Sequence, residues 1–436
     1  MDFAFSPRVE ALRRQLQDFM DAHVVPRHAQ WLAEARGGGL PVSFMADLKA
    51  LAHSEGLWNL FLPDLRDDEP GTRLSNLEYA PLAEIMGRIP WASEVFNCSA
   101  PDSGNMELLH LFASPAQRQR WLLPLLAGEI RSAFAMSEPD VASADASNVQ
   151  TLIRRDGEHY VLNGRKWFIS NACHPQCRLL IVMGKSAPDA DPHRQQSLLL
   201  VPFDTPGVQV LRNIPVLNHV SAEGHAEILL REVRVPLDHL LGAEGDGFMM
   251  AQARLGPGRV HHCMRAIGMA ELALQLLLER CQERRVFGRY LAQYANIGDW
   301  IGESRLDIEQ ARLLVLKTAW MLDTVGARAA RREIAMIKAQ VPRMLCRVVD
   351  RAMQVFGAMG LSPDTPLADF YTQGRALRFA DGPDEVHLRS LARWELEASA
   401  RLRGQTAAYL TPPGRGSERQ VVAEGLQVGQ QQEQRD

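Results

Sequence analysis

The apolar residues of this 436-residue chain change their repeat twice. From Pro7 to about Arg131 they recur at three- and four-residue spacing, as in Val9, Leu12, Leu16, Phe19 and Met20, which predicts amphipathic helices. Ser114-Pro115 reads as a helix start, with the hydroxyl at N-cap and proline at N1. From Ser132 the repeat is that of short strands. HYVL-NG-RKWFIS reads as two strands around an Asn-Gly hairpin turn, and RLLIVMG, QSLLLVPF, GVQVLRN and AEILLREVRVP follow between turn residues. A stretch of about a hundred residues built this way predicts a small barrel or sandwich. After GAEGDGF the helical stripes return in MRAIGMAELALQLLLERCQERR, WIGESRLDIEQARLLVLKTAWMLDTV and RREIAMIKAQVPRMLCRVVDRAMQVFGAMG. Long helices joined by short loops predict an antiparallel bundle.

The expected fold is therefore α+β and multidomain. Residues 1–131 form an all-α domain, 132–245 a β domain, 246–405 a helical bundle of four-helix type, and 406–436 a polar, Gln-rich flexible tail. With 46% apolar and 23% charged residues and a net charge of −4, the composition is globular and offers no electrostatic reason for a nucleic-acid partner. No run reaches the roughly 18 to 20 apolar residues of a membrane span, and no signal-peptide stretch opens the chain. The six cysteines do not make a disulfide scaffold. The chain ends EQRD, without a peroxisomal address, and a cytoplasmic location is the default expectation.

Neither a GxGxxG after a strand, nor a Walker A loop, nor a GxSxG elbow is present. Cys173, His174 and Cys177 have zinc-like spacing, but no second cluster completes four ligands, so no metal is expected. His261 and His262 are adjacent and point about 100° apart on a helix, so they cannot ligate together. Either one faces a substrate or both pack. RFADGPDEVHLRS, residues 378–390, gathers Asp381, Asp384, Glu385 and His387 around a Gly-Pro turn. On local grounds alone Asp-Gly-Pro favours a plain polar turn.

RQRWLLPLLAGEIRSAFAMSEPDVASADAS followed by YVLNGRKWFISNA resembles the flavin-dependent acyl-CoA dehydrogenase family, where a T-E-P-x-x-x-S-D segment leads to K-x-W-I-T-N. GAEGDGFMMA, CQERRVFGRYL, MQVFGAMG and RFADGPDEVHLRS match in the same order, over roughly residues 5 to 405. The resemblance implies the family's helix/β/helix fold, FAD as cofactor and an acyl-CoA substrate. By this resemblance the segment carrying Phe134, Met136 and Ser137 runs past the flavin, and Ser143 contacts the CoA pantetheine or the flavin phosphate. Phe168 stands where the family has Trp on the flavin ring, and Ser170 replaces the family Thr near N5. Both departures keep an aromatic wall and a hydroxyl. Arg284, Phe287 and Gln354 resemble residues that reach the FAD of a neighbouring subunit, which implies a homo-oligomer. Ala295 departs from the Gln of many members. Pro383 and Glu385 lie towards the FAD. Arg259 resembles the arginine at the CoA portion of the substrate.

The implied chemistry is removal of the acyl α-proton and passage of the β-hydride to flavin N5, yielding a 2-enoyl-CoA, with an electron-transfer flavoprotein as electron acceptor. Most members carry the base as Glu in a Y-E-G-T-type motif, and here Asp381 takes that place. Some members place the Glu immediately before the arginine, but here that residue is Gly258. Asp is shorter by one C–C bond, about 1.5 Å. A carboxylate facing an apolar chain is expected to have a raised pKa, because desolvation penalises its charged form. Gly382 gives the substrate close approach, and Asp384 reads as a solvated turn residue. The ADGPDEVH and GPGRVHHCMR pair resembles most the subgroup of acyl-CoA dehydrogenase family members 10 and 11. Some of these process 4-hydroxy acids as 4-phosphoacyl-CoAs, which calls for donors near the fourth acyl carbon. Arg259, His261 and His262 are the candidates. A flavin oxidase of nitroalkane-oxidase type also uses an Asp base, though Arg259 weighs against it. A flavin scaffold without catalysis is opposed by the intact Asp381.

Overall fold

The computed structural model describes residues 4–221, 223–402, 405–406 and 409. The expected tail therefore lies outside the described residues, except for Thr406 and Tyr409. The described residues from 4 to 387 form one compact unit. Helix α1 (Pro7–Phe19) starts at Ser6, whose hydroxyl accepts from Val9 N. Helix α2 (Asn76–Gly87) starts from a reciprocal capping box between Ser75 and Glu78. Helix α3 (Asp102–Phe112) follows, and Ser114 caps the next turn with Pro115 at N1.

The β region is one mixed eight-stranded sheet. Its strands are β1 (Arg131–Ala135), β2 (Leu152–Asp156), β3 (His159–Ser170), β4 (Cys177–Lys185), β5 (Gln196–Pro202), β6 (Val208–Asn213), β7 (His225–Pro236) and β8 (Leu240–Leu241). The order is β6-β7-β3-β2-β4-β5-β8, with β1 parallel to β4. β2 and β4 share a single register pair, Leu152 with Lys185, so the sheet is nearly two leaves. Leu162 and Ile228 of one leaf and Leu180 and Val182 of the other enter one core. The opposite faces of β4 and β5, through Leu179, Ile181, Leu198 and Leu200, enter the helical core. Burial on both faces is why these strands read as unbroken apolar runs.

The Asn-Gly hairpin is not formed. β3 runs straight through Asn163-Gly164, and the turn falls earlier, at Gly157, between Asp156 and its partner His159. Gly164 is needed for close approach instead: a Cβ there would lie 2.3 Å from Thr151 Oγ1. Asn163 is held by Glu232 across the sheet.

Helix α4 (Gly247–Glu283) starts well before the periodic stretch that begins at Met264, and it continues through Pro257. Gly256-Pro257-Gly258 resembles a break, yet Met250, Ala251, Leu255 and Val260 around it are buried, and that packing carries the helix across. A two-strand hairpin, β9 (Arg285–Val286) with β10 (Arg289–Tyr290), then leads to α5 (Ala295–Ala329), which is interrupted at Gly326. α6 (Arg331–Phe356), α7 (Leu367–Leu377) and α8 (Asp384–Ala400) complete the order. The second compact unit begins at Leu388, within α8. The N-terminal helices and α4 share one core, and α2 meets α4 backbone to backbone. A Cβ on Gly87 would sit 2.1 Å from Arg265 O, and one on Gly268 would sit 1.9 Å from Glu84 O. Among the described residues no helix is long and apolar enough to cross a membrane.

Candidate active site

Asp381 stands in the loop between α7 and α8 with φ 56°, followed by Gly382 at φ 105°. Asp is among the few side chains that enter the left-handed region at modest cost. The loop is tied down from several sides. Gly382 N donates to Phe379 O at 3.2 Å and Asp384 N to Arg378 O at 3.2 Å. Lys338 of α6, itself buried, donates to Leu377 O and Gly382 O. Arg259 of α4 donates through Nε to Asp381 O at 2.8 Å. A Cβ on Gly382 would approach His387 Nε2 to 3.1 Å, so this position has little room for a side chain.

The Asp381 carboxylate meets α4 again. His262 Nε2 lies 3.4 Å from Oδ2, and Arg254 Nη1 lies 4.0 Å from Oδ1. Burial pushes the carboxyl upward, but His262, Arg254, Arg259 and Lys338 outweigh it and hold Asp381 below its ordinary value. This corrects the expectation of a raised pKa, which counted the apolar surroundings and none of these four neighbours. Asp384 is a second correction. It is buried, not solvated, and accepts from Arg343 Nε at 2.9 Å and Arg378 Nε at 2.7 Å.

The adjacent histidines divide as a helix requires. His262 is partly open, its side chain 24% exposed beside Asp381 at 17%, and its Nδ1 faces Arg265 Nη2 at 3.2 Å. Burial and Arg265 lower its pKa to about 4. His261 is turned into the helical core instead, edge-on to Tyr79 and Phe61, and is 3.9 Å from Glu107. Its expected role beside the substrate is not supported by that orientation.

Arg254 joins Asp381 to the β region. Its guanidinium lies 4.4 Å from the centre of the Phe134 ring, and Nε donates to Asn105 Oδ1 at 2.9 Å. Asn105 in turn donates to Ser132 Oγ at 2.9 Å, and Asp102 accepts from both Ser132 N and Oγ. Sequence reasoning missed Arg254, Lys338 and Asn105. A signal existed for the first two, since Arg254 interrupts the stripe Met250-Ala251-Leu255 and Lys338 the stripe Ile334-Ile337-Val341.

Profiles of the N-terminal, middle and C-terminal domains of acyl-CoA dehydrogenase match residues 6–129, 133–233 and 245–396. The chain belongs to the acyl-CoA dehydrogenase family. It is 54% identical over 402 residues to the Mycobacterium tuberculosis protein named "Probable acyl-CoA dehydrogenase FadE2", covering 91% of this chain and 97% of that one. It is 49% identical over 402 residues to mouse acyl-CoA dehydrogenase family member 10, covering 91% of this chain and 38% of the relative. Chicken family member 11 is 49% identical over 393 residues, 88% and 50% of the two chains. The chain thus spans half or less of these two vertebrate relatives. A provisionally assigned acyl-CoA dehydrogenase structure from Mycobacterium abscessus superposes with a TM-score of 0.87 at 45% identity, over 91% of this chain and 100% of that one. Butyryl-CoA dehydrogenase from Megasphaera elsdenii, at 24% identity and a TM-score of 0.77 over 91% and 100% of the chains, shares the fold. The subgroup resemblance read from ADGPDEVH and GPGRVHHCMR therefore holds.

FAD is the cofactor that this membership entails. The residues expected beside the flavin are of a kind that fits a planar heteroaromatic ring. Phe168, at φ 50°, presents a 44% exposed aromatic face on β3. The exposed Ser170 hydroxyl stands two residues on, paired with His225 Nδ1 at 3.1 Å. Trp167 N donates to Ser137 O at 3.0 Å, which brings the Ser137 segment against that wall. Met136 is half-buried, and its carbonyl accepts from Lys166 Nζ. Ser143 closes its own turn, accepting from Glu138 N at 2.9 Å. Arg284, Phe287, Gln354 and Glu385 are exposed, Phe287 almost wholly, and Pro383 is half-buried at the start of α8. Among the described residues no His, Cys, Asp and Glu cluster could hold a metal ion.

Proposed function

We propose that this protein is an FAD-dependent dehydrogenase of acyl-CoA thioesters with Asp381 as the catalytic base. FAD, when bound, supplies the acceptor for the β-hydride. Asp381 takes the α-proton, and an ionised carboxylate is ready to do so without first losing a proton of its own. Arg259 and Lys338 hold the loop so that the carboxylate stays aimed, and Gly382 leaves space for the thioester. A 2-enoyl-CoA results. Electrons pass to an electron-transfer flavoprotein, and Arg284, Phe287 and Gln354 complete the FAD site of a second copy in a homo-oligomer. Their exposure supports that reading, since Phe287 is a large apolar side chain left almost wholly exposed among the described residues.

The substrate class follows from Arg254, a buried cation 4.0 Å from the base. The fourth acyl carbon is two bonds from the α-carbon, about 2.5 Å away. A plain alkyl chain there would leave guanidinium donors unused, which is costly for a buried group. A 4-hydroxyl or 4-phosphate would accept from Arg254. We therefore favour 4-hydroxyacyl- or 4-phosphoacyl-CoA. Loss of the α-proton and β-hydride leaves a 4-substituted 2-enoyl-CoA and reduced flavin. Expulsion of phosphate together with a carbon-bound proton is instead redox-neutral and leaves an enoyl-CoA with the flavin oxidised. Anaerobic titration of the holoenzyme with a panel of acyl-CoAs tests both levels. Bleaching by 4-hydroxyacyl thioesters at lower concentration than by plain ones, or release of inorganic phosphate from 4-phosphoacyl-CoA without lasting bleaching, is expected. Equal efficiency removes the specialised substrate, and no bleaching by any thioester removes the dehydrogenase reading. Fast reoxidation of the reduced protein by oxygen would favour an oxidase.

A further inference from the structure

His262 has a geometry that desaturation alone does not explain. A guanidinium only donates, so its 3.2 Å contact makes His262 Nδ1 the acceptor towards Arg265. A neutral ring with a bare Nδ1 carries its hydrogen on Nε2, and Nε2 is the atom 3.4 Å from Asp381 Oδ2. We propose that His262 is a positioning residue for the base, its Nε2–H steadying Asp381 Oδ2 so that Oδ1 is left to take the α-proton. This rests on the reading of Asp381 as the base.

The other groups that face Asp381 have different tasks. Arg259 bonds its backbone carbonyl, and Lys338 bonds the carbonyls on either side of it in the loop. Arg254, at 4.0 Å, lies beyond hydrogen-bond reach of Oδ1 and so does not consume that oxygen. The Cys263 thiol beside them is pushed up to about 12 by burial and stays neutral. Within the loop, Asp384 is engaged with Arg343 and Arg378, and burial lowers His387 to about 4. Among the described residues only His262 brings a side-chain nitrogen within 3.5 Å of an Asp381 carboxylate oxygen, a polar contact longer than an ordinary hydrogen bond. A base shortened by about 1.5 Å gains most from such a support, because small misplacement is expensive in rate. Arg265 fixes the tautomer, and α2 fixes Arg265 through the backbone approach at Gly87.

The test compares His262→Leu, His262→Gln and His262→Asn holoenzymes by anaerobic flavin reduction with saturating acyl-CoA from about pH 3.5 to 9. The glutamine amide can still donate towards Oδ2, the shorter asparagine amide falls short, and leucine has no donor. Limiting reduction should fall about 10- to 100-fold in His262→Leu, with recovery of most of the rate in His262→Gln. The acid limb should move up by about one pH unit in His262→Leu, because a donor to the charged form has been lost. Acyl-CoA affinity should stay within about threefold of the parent, so the effect falls on kcat and not KM. A leucine variant with unchanged rate and pH profile overturns the proposal. So does one with weaker acyl-CoA binding at unchanged limiting rate, which would make His262 a substrate contact only. If leucine costs the protein its FAD, the other pair decides: equal rates for asparagine and glutamine overturn it. Asp381→Asn is run alongside, and near-normal reduction there removes the base assignment itself, independently of His262.

Discussion

Asp381 and Glu107 are both carboxylates in the interior, and both feel Arg254, yet they settle in opposite protonation states. Burial acts upward on each. Around Asp381 it is outweighed by His262, Arg254, Arg259 and Lys338, and the group stays ionised. Around Glu107 only Arg254 opposes burial, Asp64 adds to it, and the pKa rises to about 8. Glu107 Oε2 has no hydrogen-bond partner among the described residues, and the neighbouring His261 is held neutral with a pKa of about 3. Burial is common to the two. The number of cations and donors aimed at the carboxylate differs, and that number decides the charge.

The largest expected effect breaks the comparison on the Asp381 side. Asp381→Asn should slow anaerobic flavin reduction by about 10²- to 10⁴-fold while FAD remains bound. For the parent enzyme, kcat/KM should show no acid limb between pH 5 and 7 if Asp381 is the base, since its neighbours hold the carboxyl below its ordinary value. A limb near pH 6 assigned to Asp381 would mean that its four neighbours do not set its charge.

Removing the shared cation comes next. Arg254→Met should cost about 10- to 100-fold in kcat/KM for 4-substituted acyl-CoAs, the size of a lost charged hydrogen bond, and much less for unsubstituted ones. Equal losses for both substrate types would detach Arg254 from the fourth carbon.

Glu107 contributes a stability effect of definite sign. Its folded pKa of about 8 lies above the ordinary 4.5, so between these values the folded protein holds a proton that the unfolded chain has released. Stability from this group is full below about pH 4.5 and declines by about 1.4 kcal/mol per pH unit up to about pH 8. Denaturant unfolding of Glu107→Gln should lack that decline and show greater stability than the parent at pH 8. Parallel curves for the two proteins would place the Glu107 proton elsewhere. The smallest effect belongs to Asp381→Glu, which restores the commoner length against a site already occupied by His262 and Arg254. It should reduce flavin more slowly than the parent and faster than Asp381→Asn.

Much of this was readable from residue order alone. The change from three- and four-residue spacing to short strands and back predicted helical, β and helical regions, because burial of one face imposes a period on any segment that folds locally. The RFADGPDEVHLRS loop was located by its resemblance to a base motif. Arg254 and Lys338 were visible as charges inside apolar stripes, although nothing in the stripes told what they faced. The straight course of β3 through Asn163-Gly164 was not readable, since it depends on Thr151 lying across from Gly164. Nor was the meeting of Gly87 with Arg265. The sign of the Asp381 shift was decided by tertiary structure alone. Arg259 reaches Asp381 across 122 positions of chain, Arg254 and His262 arrive from the same remote helix, and Lys338 arrives from another helix, its bond to the neighbouring Gly382 spanning 44 positions. A pKa sums over whatever charges the fold brings near, and local sequence holds no record of those distances.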